Sequence, residues 1–374
     1  MESRIPRLLR SSFYLLLISI FFTACSSDDT TATGTGSGTV TAVETGEVTL
    51  LLTDAPTSEY DEVNVVAESV SLVGEGPEAE LMQRPARYNL LDLRNTFRKL
   101  AKARAREGTY SRVRFRIRDV ELVKRNPDGT IAERVIPRLE RNIVDLNARA
   151  QFAVNRLRRL IVKLDIDAEN SISTDPVTSE PVFDPEATVE VDSVPTDTTA
   201  PPQEVTPVLM NERGVVRNLQ ADSFDLCDPA ALTECTQVNV AANTVVLDGL
   251  LQVISLTGLA ENSPVQVLGH LDVTTDAIDA LHVLQEGSRV STYAGVFSGD
   301  VANDAINFNV TAGAMAGNTY AVPLASMPGI YDGAGNVLDV SALGDGVSAE
   351  VIGILNTFPP PPSVTPGVII ISTP

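Results

Sequence analysis

Tryptophan is absent from the 374-residue chain, aromatic residues make up 5 %, and there are only two histidines and three cysteines. The two histidines, His270 and His282, have no G-x-S-x-G elbow to serve, so a Ser-His-Asp nucleophile has no basis in the sequence. Cys227 and Cys235 have no histidine nearby to complete the four ligands of a zinc site. Positive charge is short as well: 28 Lys+Arg stand against 49 Asp+Glu, a formal net of -21, which makes nucleic acid a poor partner. Phosphate-cradling glycine loops followed by a helix are missing. The run at residues 13–25 has roughly 13 apolar positions, below the ~20 that span a bilayer.

That run, FYLLLISIFFTAC, organises the reading of the chain. It follows Arg4, Arg7 and Arg10 and ends on Thr23, Ala24 and Cys25, the layout of a secretory signal. It resembles a bacterial lipoprotein signal, although Phe22 stands where such signals usually carry leucine. The resemblance implies a signal peptide at 1–24, acylation of Cys25 as the mature N-terminus, and a membrane partner through that anchor. Ser26 resembles the residue type that lets Gram-negative lipoproteins reach the outer membrane, with the exposed face left open. The competing expectation is an ordinary signal cut elsewhere. Residues 25–45, rich in Ser, Thr, Gly and Asp, read as a flexible tether.

The remainder is rich in Gly, Pro, Thr, Val and Asp, with 43 % hydrophobic residues, which favours short strands joined by turns. Strands are expected at 47–52, 62–72, 88–93, 112–118, 160–168 and 187–191, with a turn at 126–129. A helix is expected at 95–107, capped by Asn95 and stopped by Gly108. Between Arg84 and Lys163 there are 22 basic and 8 acidic residues, a local net of +14. Without Glu2, Arg4, Arg7 and Arg10 the chain carries -23, so the rest sums to -37. In an exported protein, Cys227 and Cys235 are expected to form a disulfide.

Several short motifs recur in a set order: T-D-A-P at 53–56, Y-x-x-V at 60–63, L-L-D-L at 90–93, E-G-T-Y at 107–110 and L-D-I-D-A at 164–168. This order resembles a family of bacterial lipoprotein domains of unknown function. The resemblance covers residues 46–193 and implies a small antiparallel β-sandwich with no assigned reaction. The chain departs from it in the basic stretch after Asn95 and in an acidic, Pro-rich insertion at 173–185. A Pro/Thr-rich linker is expected at 194–209. Beyond it, residues 255–271 align without gaps on 339–355, placing Leu259 on Leu343, Val267 on Val351 and Gly269 on Gly353. The copies, 210–287 and 288–374, resemble a second unannotated family of small β-barrel modules. The fold expected is all-β: a sandwich with one helix, then two OB-like barrel repeats.

The arginines at 112–118 (RVRFRIR) carry the sharpest chemical signal. Period two places Arg112, Arg114, Arg116 and Arg118 about 7 Å apart on one strand face. With Arg98 and Lys102 they are candidates for an anion-binding patch suited to acidic polysaccharide or lipopolysaccharide, since guanidinium forks grip such groups. The competing reading pairs these arginines with Asp165 and Asp167, or docks them on the acidic modules. No cofactor is expected, and Asp165 and Asp167 are the residues that best suit a structural calcium, without the glycine and distal glutamate of an EF-hand. The functional expectation is a lipid-anchored, non-catalytic envelope binding or scaffold protein. A hydrolase of envelope polysaccharide using paired carboxylates is the alternative.

Overall fold

The computed structural model describes residues 44–55, 59–82, 84–126, 130–196, 207–287, 289–302, 304–313, 315–324, 329–358 and 360–372. The signal, Cys25 and almost all of the tether lie outside these, as do Pro56, the turn residues 127–129 and linker residues 197–206.

The first module is built from β1 (Thr45–Ala55), β2 (Glu62–Gly74), β3 (Ala86–Asn89), β4 (Arg98–Arg106), β5 (Gly108–Arg125), β6 (Ile131–Val135), β7 (Ile143–Val154), β8 (Arg158–Asp167) and β9 (Ala187–Pro195). One sheet has the order β9-β8-β1-β4. In the other, β2 and β5 pair along most of their length, with β3 on β2 and β6 and β7 on β5. Alternating residues fill one shared core: Val48, Leu50 and Leu52 from β1, Val162 and Leu164 from β8, Val63 and Val65 from β2, Val113, Phe115 and Ile117 from β5.

Two expectations need correcting. The sandwich is not wholly antiparallel, because β1 and β8 run parallel from Glu47 beside Arg159 to Ala55 beside Asp167. Parallel pairs occur where both faces are covered. Here the second face is covered too: Leu51 and Ile161 point away from the sandwich core and are fully buried in the core of the next module. That double burial explains the near-continuous apolar runs VTLLL and LIV.

The helix expected at 95–107 is instead strand β4. The chain leaves β3 at Asn89 and makes a 3-10 turn at Leu90–Leu93, where a strand was expected. It then reverses at Asn95, which has φ 54°, a conformation asparagine tolerates better than most residues. Beyond it, Ala101, Ala103 and Ala105 face the sandwich core while Lys102, Arg104 and Arg106 face away. Ala, Lys and Arg favour helix, but the period of two and the available sheet edge win. The α-helix of the described residues is the single turn α1 (Ala168–Ser171), capped by Asp167, whose Oδ1 accepts from Asn170 N at 2.9 Å.

The second module is a closed five-stranded barrel of β10 (Leu209–Arg217), β11 (Ser223–Asp228), β12 (Ala231–Leu247), β13 (Pro264–Asp272) and β14 (Ala277–Gln285), in ring order β10-β11-β12-β14-β13. The third uses β15 (Val290–Ala302), β16 (Ala305–Val310), β17 (Thr319–Pro323), β18 (Ser348–Asn356) and β19 (Ser363–Ile371), ordered β17-β16-β15-β18-β19. A parallel contact of Ala321 with Ser363 joins the two ends. Strand by strand the two five-strand rings share order and pairing sense, each closed by a parallel pair, β12–β14 or β17–β19, and in the third module Ile330–Asp332 also runs parallel to β19. A register shift falls at Leu268/Gly269 in one and at Ile352/Gly353 in the other. A Cβ on Gly269 would lie 2.5 Å from Asp279 O, and one on Gly353 2.4 Å from Thr365 O, so only glycine fits.

The barrels meet through Leu209, Leu247, Leu268, Leu284, Tyr331, Ile352, Val368 and Ile370. His282 is buried beside this seam, its ring edge-on to Tyr331 at 5.4 Å, and neither ring nitrogen has a hydrogen-bond partner among the described residues. Burial lowers its pKa to about 4. The unfolded chain, with a histidine pKa of about 6.5, therefore binds the proton first. The contribution to stability is complete above that value and is lost as pH falls toward 4. Replacing His282 with Leu is expected to spare the protein about 2.5 kcal/mol of the stability lost between pH 7 and pH 4.5, measured by urea unfolding at both pH values. Equal acid sensitivity in wild type and variant would refute it.

Candidate functional site

The first barrel docks on the outer face of the β9-β8-β1-β4 sheet. Side chains on that face come from Lys99 and Lys102 of β4, Thr49 and Leu51 of β1, and Arg159, Ile161 and Lys163 of β8. Asp276, in the turn between β13 and β14, reaches into it. Thr49 Oγ1 donates to Asp276 Oδ1 at 2.9 Å, while Lys99 Nζ lies 2.9 Å and Lys102 Nζ 3.2 Å from Oδ2. Lys99 Nζ also donates to Asp276 O and to Thr236 Oγ1, each at 3.3 Å. Burial alone would raise the Asp276 pKa. The Lys99 charge, with help from Lys102 and Thr49, outweighs it and leaves the carboxyl below its usual range.

The seam continues on both sides of this clasp. Arg159 donates to the carbonyls of Val273 and Thr274, both at 2.8 Å, and pairs with Glu47 at 2.5 Å. Glu212, nearly buried, accepts from Lys99 N and lies 3.7 Å from Arg98; burial still holds its pKa above the ordinary value. Phe97 N donates to Leu209 O and Asn211 N to Phe97 O, each at 2.8 Å, so backbone as well as side chains cross the seam. The charge segregation of the sequence is resolved here in space. Residues 84–163 carry +14, and residues 210–374 carry 17 acidic and 3 basic residues, a net of -14.

Beside the clasp a cleft of about 900 Å³ opens between the two modules. One wall holds Arg84, Arg87, Tyr88, Arg98 and Lys102, and the other is the tip of the β11–β12 hairpin with Asp228 and Glu234. Cys227 and Cys235 close that tip as the expected disulfide, S–S 1.98 Å. Arg84 and Glu234 pair at 2.6 Å from wall to wall, and Arg98 lies over the Tyr88 ring, 5.8 Å from its centroid.

Residues 45–183 match the family model described as "Domain of unknown function (DUF4382)". The DUF4382 match thus runs from β1 to the short strand Pro181–Phe183 and stops before β9, which completes the sheet that docks the barrel. No curated protein matches the chain. All six anion-binding candidates fall within the matched span, but the fold does not bring them together. Arg98 and Lys102 sit on the edge strand at the barrel seam, whereas Arg112, Arg114, Arg116 and Arg118 lie on β5 of the opposite sheet.

The β5 arginines are paired, and not with Asp165 and Asp167. Arg114 Nε meets Asp145 of the neighbouring β7 at 2.7 Å and its NH1 meets Glu78 at 3.3 Å. Arg112 shares Asp145 at 3.4 Å, Arg116 lies 3.7 Å from Glu68, and Arg118 2.8 Å from Asp119. The Arg114 hydrogen bond holds the Asp145 carboxyl below its usual range. Solvent-exposed pairs of this kind contribute roughly 0–1 kcal/mol each. The stripe is a ladder of neutralised charges. Arg104 and Arg106, by contrast, are exposed and make no ion pair among the described residues. The alternation A-K-A-R-A-R at 101–106 is the sequence signal that locates them.

Asp165 lines a separate small cavity against the second barrel, and Asp167 caps α1. No group of three His, Cys, Asp or Glu among the described residues is placed to hold a metal ion. Asp332 accepts from Ala334 N and Asn336 N, at 2.9 and 2.8 Å, which makes its segment an ordinary Asx turn. His270 Nε2 lies 3.0 Å from Ala334 O.

The clasp sets a test of the seam. Lys99 and Asp276 have side chains only 11 % and 4 % exposed. Asp276→Ala is expected to cost about 3–5 kcal/mol by leaving a buried ammonium unpaired. Adding Lys99→Met should recover at least ~1 kcal/mol of it, a coupling read by double-mutant cycle in guanidinium unfolding. Strict additivity would mean that the two groups do not interact.

Proposed function

We propose that the protein is a non-catalytic binding and scaffold module of the cell envelope, held at the outer membrane by acylated Cys25. In this reading it takes anionic polymers, acidic polysaccharide or lipopolysaccharide, along the basic edge of its sandwich. The observation that carries the reading is the exposed pair Arg104 and Arg106 on edge strand β4, which make no ion pair among the described residues and follow Lys102 of the clasp along the same face. Side chains two residues apart on a strand repeat about every 7 Å, a spacing suited to a polymer with regularly placed charges. Guanidinium groups grip carboxylate and phosphate through paired N–H donors. The arginine ladder on β5 is a lesser contributor, since a ligand there must displace Asp145, Glu78, Glu68 and Asp119.

The barrels fit the reading as two copies of one module. The 3-10 turns Leu256–Gly258 and Val340–Ala342, and the strands Pro264–Asp272 and Ser348–Asn356, recur at a constant offset of 84 residues in both pairs. Their acidic surfaces repel a polyanion and confine it to the sandwich edge.

Binding of polygalacturonate and of purified lipopolysaccharide to the detergent-solubilised full chain tests this. Affinity is expected to fall steeply between 50 and 300 mM salt because the contacts are exposed. Arg104→Ser with Arg106→Ser should weaken it at least tenfold, and Arg114→Ser with Arg116→Ser by less than threefold. Binding that ignores both salt and the edge variants would refute the proposal, and turnover of either polymer would favour the hydrolase.

A further inference from the structure

A second cavity, about 470 Å³, lies between the sandwich and the second barrel. From the sandwich it receives Asp54, the aspartate of the T-D-A-P motif, with Arg94, Asn95 and Asp165. From the barrel it receives Glu350 of β18 and the hydroxyl side chains Thr311, Ser348 and Ser372. Asn95 Nδ2 donates to Ser372 Oγ at 2.9 Å across the gap. Asp54 is 5 % exposed; its Oδ1 accepts from Ala168 N at 3.1 Å, but its Oδ2, on the same buried carboxyl, has no hydrogen-bond partner among the described residues. Glu350 is 2 % exposed.

A buried carboxylate oxygen without a donor is costly unless a ligand supplies one. Three carboxyls face one guanidinium in this cavity, so an arriving cation finds carboxyls it can ionise, whereas an anion finds none. Arg94 stands among the carboxyls, and no three of the described acidic groups converge on a metal position, which disfavours a compact dication. An ammonium at one end of a polyhydroxylated chain suits it: one charged donor for Asp54 Oδ2, hydroxyls for Ser348, Thr311 and Ser372.

We propose that this cavity binds a small hydroxylated ammonium compound, of the amino-sugar or amino-polyol class, with Asp54 as the receptor for its ammonium group. The site is independent of the polyanion edge. In the empty cavity burial favours the protonated carboxyls. Burial raises the Asp54 pKa to about 8, opposed by the Ala168 N–H and Arg94 and reinforced by Asp165 and Asp167. Burial also raises Glu350 to about 8, opposed by Arg94 and reinforced by Asp92. An arriving ammonium ionises Asp54 and releases its proton, so apparent affinity rises with pH up to that value.

The test titrates meglumine, a hydroxylated alkylammonium, into the detergent-solubilised full chain by calorimetry, with sorbitol as the neutral counterpart and calcium chloride as the metal. Meglumine is expected to bind at least tenfold more tightly than sorbitol. One proton is released, and affinity strengthens about tenfold from pH 6 to pH 7. Asp54→Asn, checked for folding by circular dichroism, should lose at least tenfold in affinity and the proton release, and Glu350→Gln should weaken binding while keeping it. The Arg104→Ser/Arg106→Ser protein should bind meglumine as wild type does, which separates failure here from failure of the polyanion reading. Sorbitol binding as well as meglumine, calcium displacing it, no meglumine heat at 10 mM, or undiminished binding by Asp54→Asn would each overturn the proposal.

Discussion

The molecule depends on one carboxylate. Asp276 is lodged between Thr49, Lys99 and Lys102 of a sheet that belongs to a different module, and this fixes where the first barrel sits. A buried ion pair is a poor source of net stability, because removing two charges from water cancels most of their attraction. The gain comes from Leu51 and Ile161 meeting Val208 and Met210 beneath it. What the clasp adds is selection among orientations. A barrel rotated or slid along the sheet would keep much of the apolar contact but strand Asp276 and Lys99 without partners. The same logic extends to Arg159, whose donors meet the Val273 and Thr274 carbonyls only in this register.

Because β1 and β8 are buried on both faces, they obey two masters. β1 alternates Val48, Leu50 and Leu52 toward the sandwich with Thr49 and Leu51 toward the barrel, and β8 does the same with Val162 and Leu164 against Ile161 and Lys163. This is why strands here were legible from the sequence but their pairing was not. A strand with apolar residues on both faces announces burial without saying against what. RVRFRIR was read correctly as one-sided because its polar face is solvated. RKLAKARAR was misread as a helix because alanine, lysine and arginine favour helix when nothing else is known, and the partner that makes its period of two profitable, β1, lies some fifty residues earlier. The partners of the arginine ladder were not legible for a related reason. Cross-strand partners follow from sheet order, and no local pattern tells Asp145 on an adjacent strand from Asp165 in another sheet.

Glycine was the more reliable guide. Gly269 and Gly353 mark the same bulge in the two rings, and Gly214 and Gly295 the same close crossing, where a Cβ would come within 2.6 Å of Cys227 O and 2.3 Å of Asn309 O. A residue required by contact with backbone is legible because only one side chain satisfies it. The inner cavity was the opposite case. Asp54 stands in the short T-D-A-P motif beside a proline, and the carboxyl of Glu350 lies almost three hundred residues away along the chain. Nothing local marks either as buried.

The distribution of charge between these sites limits what each can take. From residue 164 onward the only cations are Arg213, Arg217 and Arg289, so beyond the sandwich the protein presents a negative field to anything approaching. In the proposed reading a polyanion approaches along the β4 edge, where its grip is exposed and screened by salt. A small cation has the converse advantage. The same acidic surface concentrates it around the barrels, and the inner cavity offers it a desolvated carboxyl where screening is weak. On the two proposals made above, the segregation that holds the modules together would also sort ligands by sign: long anions to the sandwich edge, small cations to the gap behind the second barrel.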